Sequence, residues 1–167
     1  MDQTATKGDA GRDALYKIAY DEAVRALSDQ RLEIDSVHSR TGLLLSVAAV
    51  ATSFLGARAL EGGSLSPMSW LALASFIVTA LVSLAILLPY QGEFSADARE
   101  MIKTYIEAPE PESIGRLHRD LALHMHRSFA NNMEALDRLA TLFQAACGLV
   151  TIEMTFWTLS TRCRVEL

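Results

Sequence analysis

Between Glu61 and Glu93 the chain runs for 31 residues, Gly62 to Gly92, without a charged side chain. At 1.5 Å per residue a helix of that length exceeds the roughly 30 Å of bilayer hydrocarbon and leaves room for a loop and a turn. This is the strongest candidate span. Thr41 to Ala57 is uncharged for 17 residues, close to the shortest helix that crosses a bilayer. Leu139 to Leu159 carries only Glu153. Three spans are the economical count, with bounds near 41–60, 67–88 and 139–160.

Half of the 167 residues are hydrophobic, high for a soluble domain, and the excess is gathered in these blocks. A secretory signal is not expected, because the first 40 residues are polar and hold eight acidic positions, with no apolar run at the extreme N-terminus. The net charge of -5 argues against nucleic acid as a partner, since phosphate contacts need clustered Lys and Arg. Two cysteines, Cys147 and Cys163, build neither a disulfide framework nor a four-cysteine zinc site.

Lysine and arginine set the orientation. Six precede the first span, one (Arg58) follows it, six lie between the second and third spans, and Arg162 and Arg164 close the chain. With the N-terminus inside, twelve face the cytoplasm and three face out, as the positive-inside rule expects. The expectation is a multi-pass inner-membrane protein with a cytoplasmic N-terminus. The fold class is all-α: three transmembrane helices with long cytoplasmic helical extensions.

The extensions are read from their periodicity. A seam stepping by four and three runs Tyr16, Tyr20, Ala23, Leu27, Gln30, Ile34, Val37, Thr41, the spacing of a coiled-coil helix that passes unbroken into the first span. Gln30 is its polar member, either fixing register between copies of the chain or touching water at a loose contact. Ser66-Pro67 predicts a helix start, and Pro89 with Gly92 a stop. Small residues recur every fourth position in the first span (Ala48, Thr52, Gly56) and the second (Ser75, Thr79, Ser83), as in closely packed membrane helices. Phe94 to Glu107 predicts a short amphipathic helix ended by Pro109 and Pro111. From Glu112 no proline interrupts the chain, so one helix is expected to run through 112–138 into the third span. The boundaries are thus a disordered tail over 1–12, one helical membrane domain over 13–161 with cytoplasmic helices at 13–40, 94–107 and 112–138, and a short tail over 162–167.

The third block has a polar or small stripe at Asp137, Thr141, Gln144, Gly148, Thr151, Thr155, Thr158 and Arg162. In lipid such a face is expected to meet protein or water. Gln144, Gly148, Thr151, Thr155 and Thr158 are the candidates for a water-filled path in an oligomer or for interhelical hydrogen bonds, the commoner use of such residues. Glu153 lies about 200° around from Thr151. An acid within a span is a functional candidate, although its place near the outer end predicts snorkelling to the interface. His124 and His126 face opposite sides of one helix, so with His118 they do not converge on a metal. No phosphate loop or Ser-His-Asp pattern occurs, and neither enzymatic chemistry nor a cofactor is expected.

Three features carry a family resemblance: the span entry Ser39-Arg40-Thr41-Gly42-Leu43-Leu44, the close of the second span at Leu87-Leu88-Pro89, and the rod HRDLALHMHRSFANNMEALDRLATLF leading into the third span. Over about Leu15 to Ser160 the chain resembles the transmembrane effector domain family of bacterial Pycsar antiphage systems, with Arg40, Gly42 and Pro89 the distinctive positions. The resemblance implies an abortive-infection effector that homo-oligomerises and compromises the inner membrane on sensing a cyclic pyrimidine nucleotide or another infection signal. No separate nucleotide-binding domain is legible, so a sensor protein or the cytoplasmic helices themselves would receive that signal. The alternative is a membrane scaffold or anchor whose cytoplasmic rods hold a protein partner; a small transporter subunit using Glu153 is a third reading.

Overall fold

The computed structural model describes the backbone of residues 3–61, 65–88, 102–107 and 113–165. All regular structure among them is helical: α1 (Gln3–Leu60), α2 (Pro67–Leu87), a single π turn (Ile102–Ile106) and α3 (Ile114–Val165). No proline precedes Pro67 and none follows Pro111, and helices of 58 and 52 residues occupy those two stretches. The sequence expectation of a tail over 1–12 is corrected here: α1 starts at Gln3. Nothing in that stretch breaks a helix outright, since its glycines cost only about 1 kcal/mol each.

α2 starts where Ser66-Pro67 predicts. Ser66 is extended at φ -68°, ψ 159°, its hydroxyl accepts from the Ser69 N–H at 3.2 Å, and Pro67 occupies the first turn. Ser113 caps α3 in the same way, accepting from the Arg116 N–H at 3.3 Å. Of the helix expected over 94–107, the described part is the π turn, closed by the Glu107 N–H on the Ile102 carbonyl at 3.0 Å. Residues 89–101 and 108–112, with the Pro89 stop, lie outside the described residues.

The chain divides into two compact units, not the single domain expected over 13–161. One combines residues 1–33 with 91–135, and the other 34–90 with 136–167. α1 and α3 each contribute to both.

In the first unit the α1 seam meets this chain's own α3. Tyr16, Tyr20 and Ala23 are half-buried, and Leu27 and Gln30 are buried. Tyr20 stacks on His118 with centroids 5.5 Å apart. From α3, Leu121, Ser128 and Asn132 are buried. The Tyr105 hydroxyl ties the π turn to α3, donating to Asp120 at 3.0 Å.

The second unit is built the other way round. The buried positions of α2 are Ser69, Ala72, Ser75, Thr79, Ser83 and Ile86, whereas Trp70, Leu71, Ile77, Val78, Leu81 and Leu84 are exposed. On α1, Leu43, Val47, Val50 and Phe54 face outward while Thr41, Ala48 and Ala59 are buried. Small side chains inside and large apolar ones outside are what helices packed in hydrocarbon require, because lipid gives no hydrophobic drive between helices and close backbone approach replaces it. α1, α2 and α3 each contain a stretch long and apolar enough to cross a membrane. The largest buried side chain among the described residues is Trp157, which packs on Ala59 and Ala72 and lies over Gly56, where a β-carbon would stand 3.7 Å from the ring.

Candidate intramembrane site

Within the second unit, α3 turns Ala146, Glu153, Trp157 and Ser160 inward, positions spaced by seven, four and three that share one face. Glu153 is 0 % exposed. One carboxylate oxygen accepts a hydrogen bond from the Thr52 hydroxyl of α1, and the other, Oε2, has no partner. The Trp157 indole N–H, one turn further on the same face, is buried and meets no acceptor. Snorkelling to the interface, expected from the position of Glu153 in the sequence, is therefore corrected. The face that carries Glu153 packs on α1 and α2, so the carboxyl is enclosed by protein.

Beyond Trp157 three hydroxyls close a triangle: Ser66 to Ser69 at 3.0 Å, Ser66 to Ser160 at 2.9 Å, and Ser69 to Ser160 at 2.7 Å. On the other side of Glu153, the Ser75 hydroxyl donates to the Leu149 carbonyl at 3.1 Å and Thr79 donates to Ser75 O at 2.9 Å. Ser83 Oγ is buried without a partner. Polar groups thus recur about once per turn along the inside of the unit.

The stripe singled out from sequence lies elsewhere on α3. Gln144, Gly148, Thr151, Thr155 and Thr158 are all exposed. The threonine hydroxyls are satisfied within the helix: Thr151 donates to Cys147 O at 2.9 Å, Thr155 to Thr151 O at 2.8 Å, and Thr158 to Thr155 O at 2.8 Å. This backbonding removes most of the cost of facing lipid, so the expectation that the face must meet protein or water holds with force only for the Gln144 amide.

Gln30 is 3 % exposed and donates through Nε2 to the Phe129 carbonyl at 3.2 Å, while its Oε1 is unpartnered. Its amide thus meets the backbone of this chain's own α3. Ile34 is buried further along the seam. Arg40 is exposed and Gly42 half-buried, with nothing within 4 Å of where a β-carbon of residue 42 would stand, whereas Thr41 between them is buried. His124 and His126 are exposed, and among the described residues no three His, Cys, Asp or Glu converge.

In the first unit Arg12, Asp13 and Tyr16 of α1 and Ser113, Arg116 and Arg119 of the α3 start line a hollow of about 410 Å³. Ala23, Ala26, Ala122, Leu123 and Phe129 contribute to a separate apolar groove of about 420 Å³.

The sequence flagged Glu153 and the small-residue stripes but missed Thr52 as its partner, Trp157 as its neighbour, and the serine triangle. The signal was available in α2, where every inward position but Ile86 is Ser, Thr or Ala. The chain matches no protein-family model, no curated protein and no solved structure.

Proposed function

We propose that this is an inner-membrane effector that self-associates through the exposed face of α3 and breaches the membrane on an infection signal. The observation that carries this reading is the exposed Gln144 on a stripe with Gly148, Thr151 and Thr155, in a unit whose surface is otherwise dominated by large apolar side chains. A primary amide in lipid gains from a second amide, and Gly148 allows a neighbouring helix to come close. Several copies joined through this face would enclose a polar path. The hollow at the start of α3 supports direct sensing: beside the Asp13 carboxylate, Arg12 and Arg119 offer charge and planar donors to phosphate, and Tyr16 a ring for a base. The antiphage setting and the cyclic pyrimidine nucleotide come from the resemblance of the span entry and the α3 rod to Pycsar effectors.

The test is dye release from liposomes carrying the purified protein, with and without a panel of cyclic mononucleotides. Leakage that depends on a nucleotide, and that disappears in the triple variant Gln144→Leu, Thr151→Leu, Thr155→Leu, supports the reading. Arg12→Glu with Arg119→Glu should then abolish the response to nucleotide. A membrane anchor for a cytoplasmic protein is the alternative, favoured by the apolar groove of the first unit and by exposed Leu15, Ile18 and Leu32. An inserted protein that never leaks and tolerates the triple change would leave that reading in place.

A further inference from the structure

Each helix of the first unit carries a second stripe beside the seam that joins them. On α1, Leu15, Ala19, Glu22, Ala26 and Asp29 step by four, three, four and three. On α3, Arg119, Ala122, His126, Phe129 and Met133 step by three, four, three and four, so each set keeps to one face of its helix. None of these residues is buried. Ala19, Glu22 and Ala26 from α1, and Ala122, His126 and Phe129 from α3, line the apolar groove of about 420 Å³. The two stripes therefore border one trough. Its alanines let another helix pair come close, and Leu15 at 65 % exposure and Met133 at 39 % leave apolar surface open along it.

Charge selects the occupant. By the helical repeat of 100° per residue, Glu22 and Asp29 lie about 140° and 160° around α1 from the buried Leu27, and Arg119 and His126 lie about 160° and 140° around α3 from the buried Leu121. The carboxylates thus mark one lip of the trough and the N–H donors the other, each pair seven residues apart. All four side chains are exposed. Glu22 pairs with Arg25 at 3.0 Å and Arg119 with Asp120 at 4.0 Å, exposed contacts that are weakly held and readily exchanged. The two helices run in the same direction, since Tyr20 stacks on His118 and Gln30 reaches Phe129. Glu22 and Asp29 are therefore level with Arg119 and His126 to within about two residues, roughly 3 Å of rise.

Two copies can close trough to trough about either of two axes. A two-fold axis across the helices lays α1 on α1, acid lip on acid lip. A two-fold axis along the helices lays α1 on the α3 of the partner, so that Glu22 meets Arg119 of the partner subunit and Asp29 meets His126 of the partner subunit, each pair formed twice. The second arrangement matches opposite charges and keeps alanine against the apolar face of Phe129 and Met133, as flanking charges do beside the seam of a parallel coiled coil. We infer that this trough is a self-complementary dimer surface, closed by a second copy of the chain into a parallel four-helix bundle. The contact is separate from the Gln144 stripe and does not rest on the membrane-breaching role.

The experiment is chemical cross-linking of the full chain in liposomes, in a background carrying Cys147→Ser and Cys163→Ser. Differently tagged Asp29→Cys and His126→Cys chains, reconstituted together, should give a mixed dimer with a short bis-maleimide, and neither should join to itself. No mixed product, or Asp29→Cys joined to itself, overturns the proposal. Sedimentation in detergent supplies the second measurement. The wild type should be a dimer, Asp29→Lys should shift it toward monomer, and adding His126→Asp to Asp29→Lys should restore the dimer. Both positions are exposed, so the fold does not depend on them. A monomeric wild type leaves the trough to a helix of another protein and overturns the proposal, as does an Asp29→Lys chain that dimerises as tightly as the wild type. The same series in the Gln144→Leu, Thr151→Leu, Thr155→Leu background keeps the two surfaces apart: the dimer should persist there, and its loss would assign association to the α3 stripe instead.

Discussion

The two units differ less in what they bury than in what they expose. In the first, Leu27 and Leu121 are buried beside Gln30, Ser128 and Asn132, and the surface carries Arg12, Glu22, Arg25 and Arg119. In the second, Ser69, Ser75, Thr79 and Ser83 are buried while Phe54, Trp70, Ile77 and Leu81 face out. The same two helices, α1 and α3, serve both, and the two surfaces match what water and hydrocarbon would respectively require. Water makes burial of leucine the driving force. In lipid that force vanishes, and small side chains with a few hydrogen bonds hold the helices together.

Trp157 is the largest side chain buried in the second unit, and removing it should have the largest effect. Trp157→Ala would open a cavity against Gly56, Ala59 and Ala72, at a cost of about 3–5 kcal/mol. Leu121→Ala in the first unit is expected to cost about 2–5 kcal/mol. Both are read as loss of stability in detergent unfolding followed by circular dichroism. A Trp157→Ala variant as stable as the wild type would mean that the small-residue interior holds without its ring, and the packing contrast drawn here would fail.

The outer surfaces give a sharper test. Leu81, 62 % exposed in the second unit, and Leu32, 64 % exposed in the first, are equally open in one molecule yet should respond differently to arginine. Leu81→Arg puts a charge within α2, at about 2.5–3.5 kcal/mol on the insertion scale, and should lower the membrane-integrated fraction in a flotation or protease-protection assay. Leu32→Arg should change stability by less than about 0.5 kcal/mol. Equal responses would show that the two surfaces share a solvent.

Much of this contrast is legible in the sequence, and what escapes has a physical cause. Uncharged runs and the Ser66-Pro67 cap locate the three stretches long and apolar enough to cross a membrane and the start of α2, because apolar length and the orphan donors of a first turn are local properties. The seam from Tyr16 to Thr41 correctly marks a packed face but does not name its partner; a heptad is satisfied equally by a second copy or by α3. The α3 stripe looked like the face in need of company because Thr and Gln were counted as unsatisfied polar groups. Backbonding at i-3 and i-4 satisfies the threonines locally, so they leave the inside to Glu153 and Trp157. Which of two helical faces turns inward depends on α1 and α2 as well, and no single-helix periodicity contains that.

Gln30 probes the first unit more gently. Its amide donates to the Phe129 carbonyl, which lies in a helix, while Oε1 is buried with no partner. Gln30→Leu removes one buried bond and one buried orphan together, so the two changes should nearly cancel, within about 1 kcal/mol. Urea or thermal unfolding decides it. A loss well beyond that would mean the glutamine fixes the pairing of α1 with α3, a role in register that its contacts inside the chain do not require.

The smallest effect expected is at Gly56. Glycine inside a helix costs about 0.5–1 kcal/mol relative to alanine, and an added methyl at Gly56 would stand 3.7 Å from the Trp157 ring, an ordinary contact. Gly56→Ala should therefore stabilise the second unit by up to about that amount. Gly42→Ala, with nothing within 4 Å of its added carbon, is the control and should gain as much. Detergent unfolding of the pair separates two descriptions of the interior. Equal gains mean that Trp157 fills a space with slack, in which case the unit is held by its hydroxyl contacts and the Glu153 bond to Thr52. A gain at Gly42 with a loss at Gly56 means that the ring is already pressed against α1, so that close packing through glycine, the substitute for the hydrophobic drive, sets the distance at which the carboxyl is enclosed.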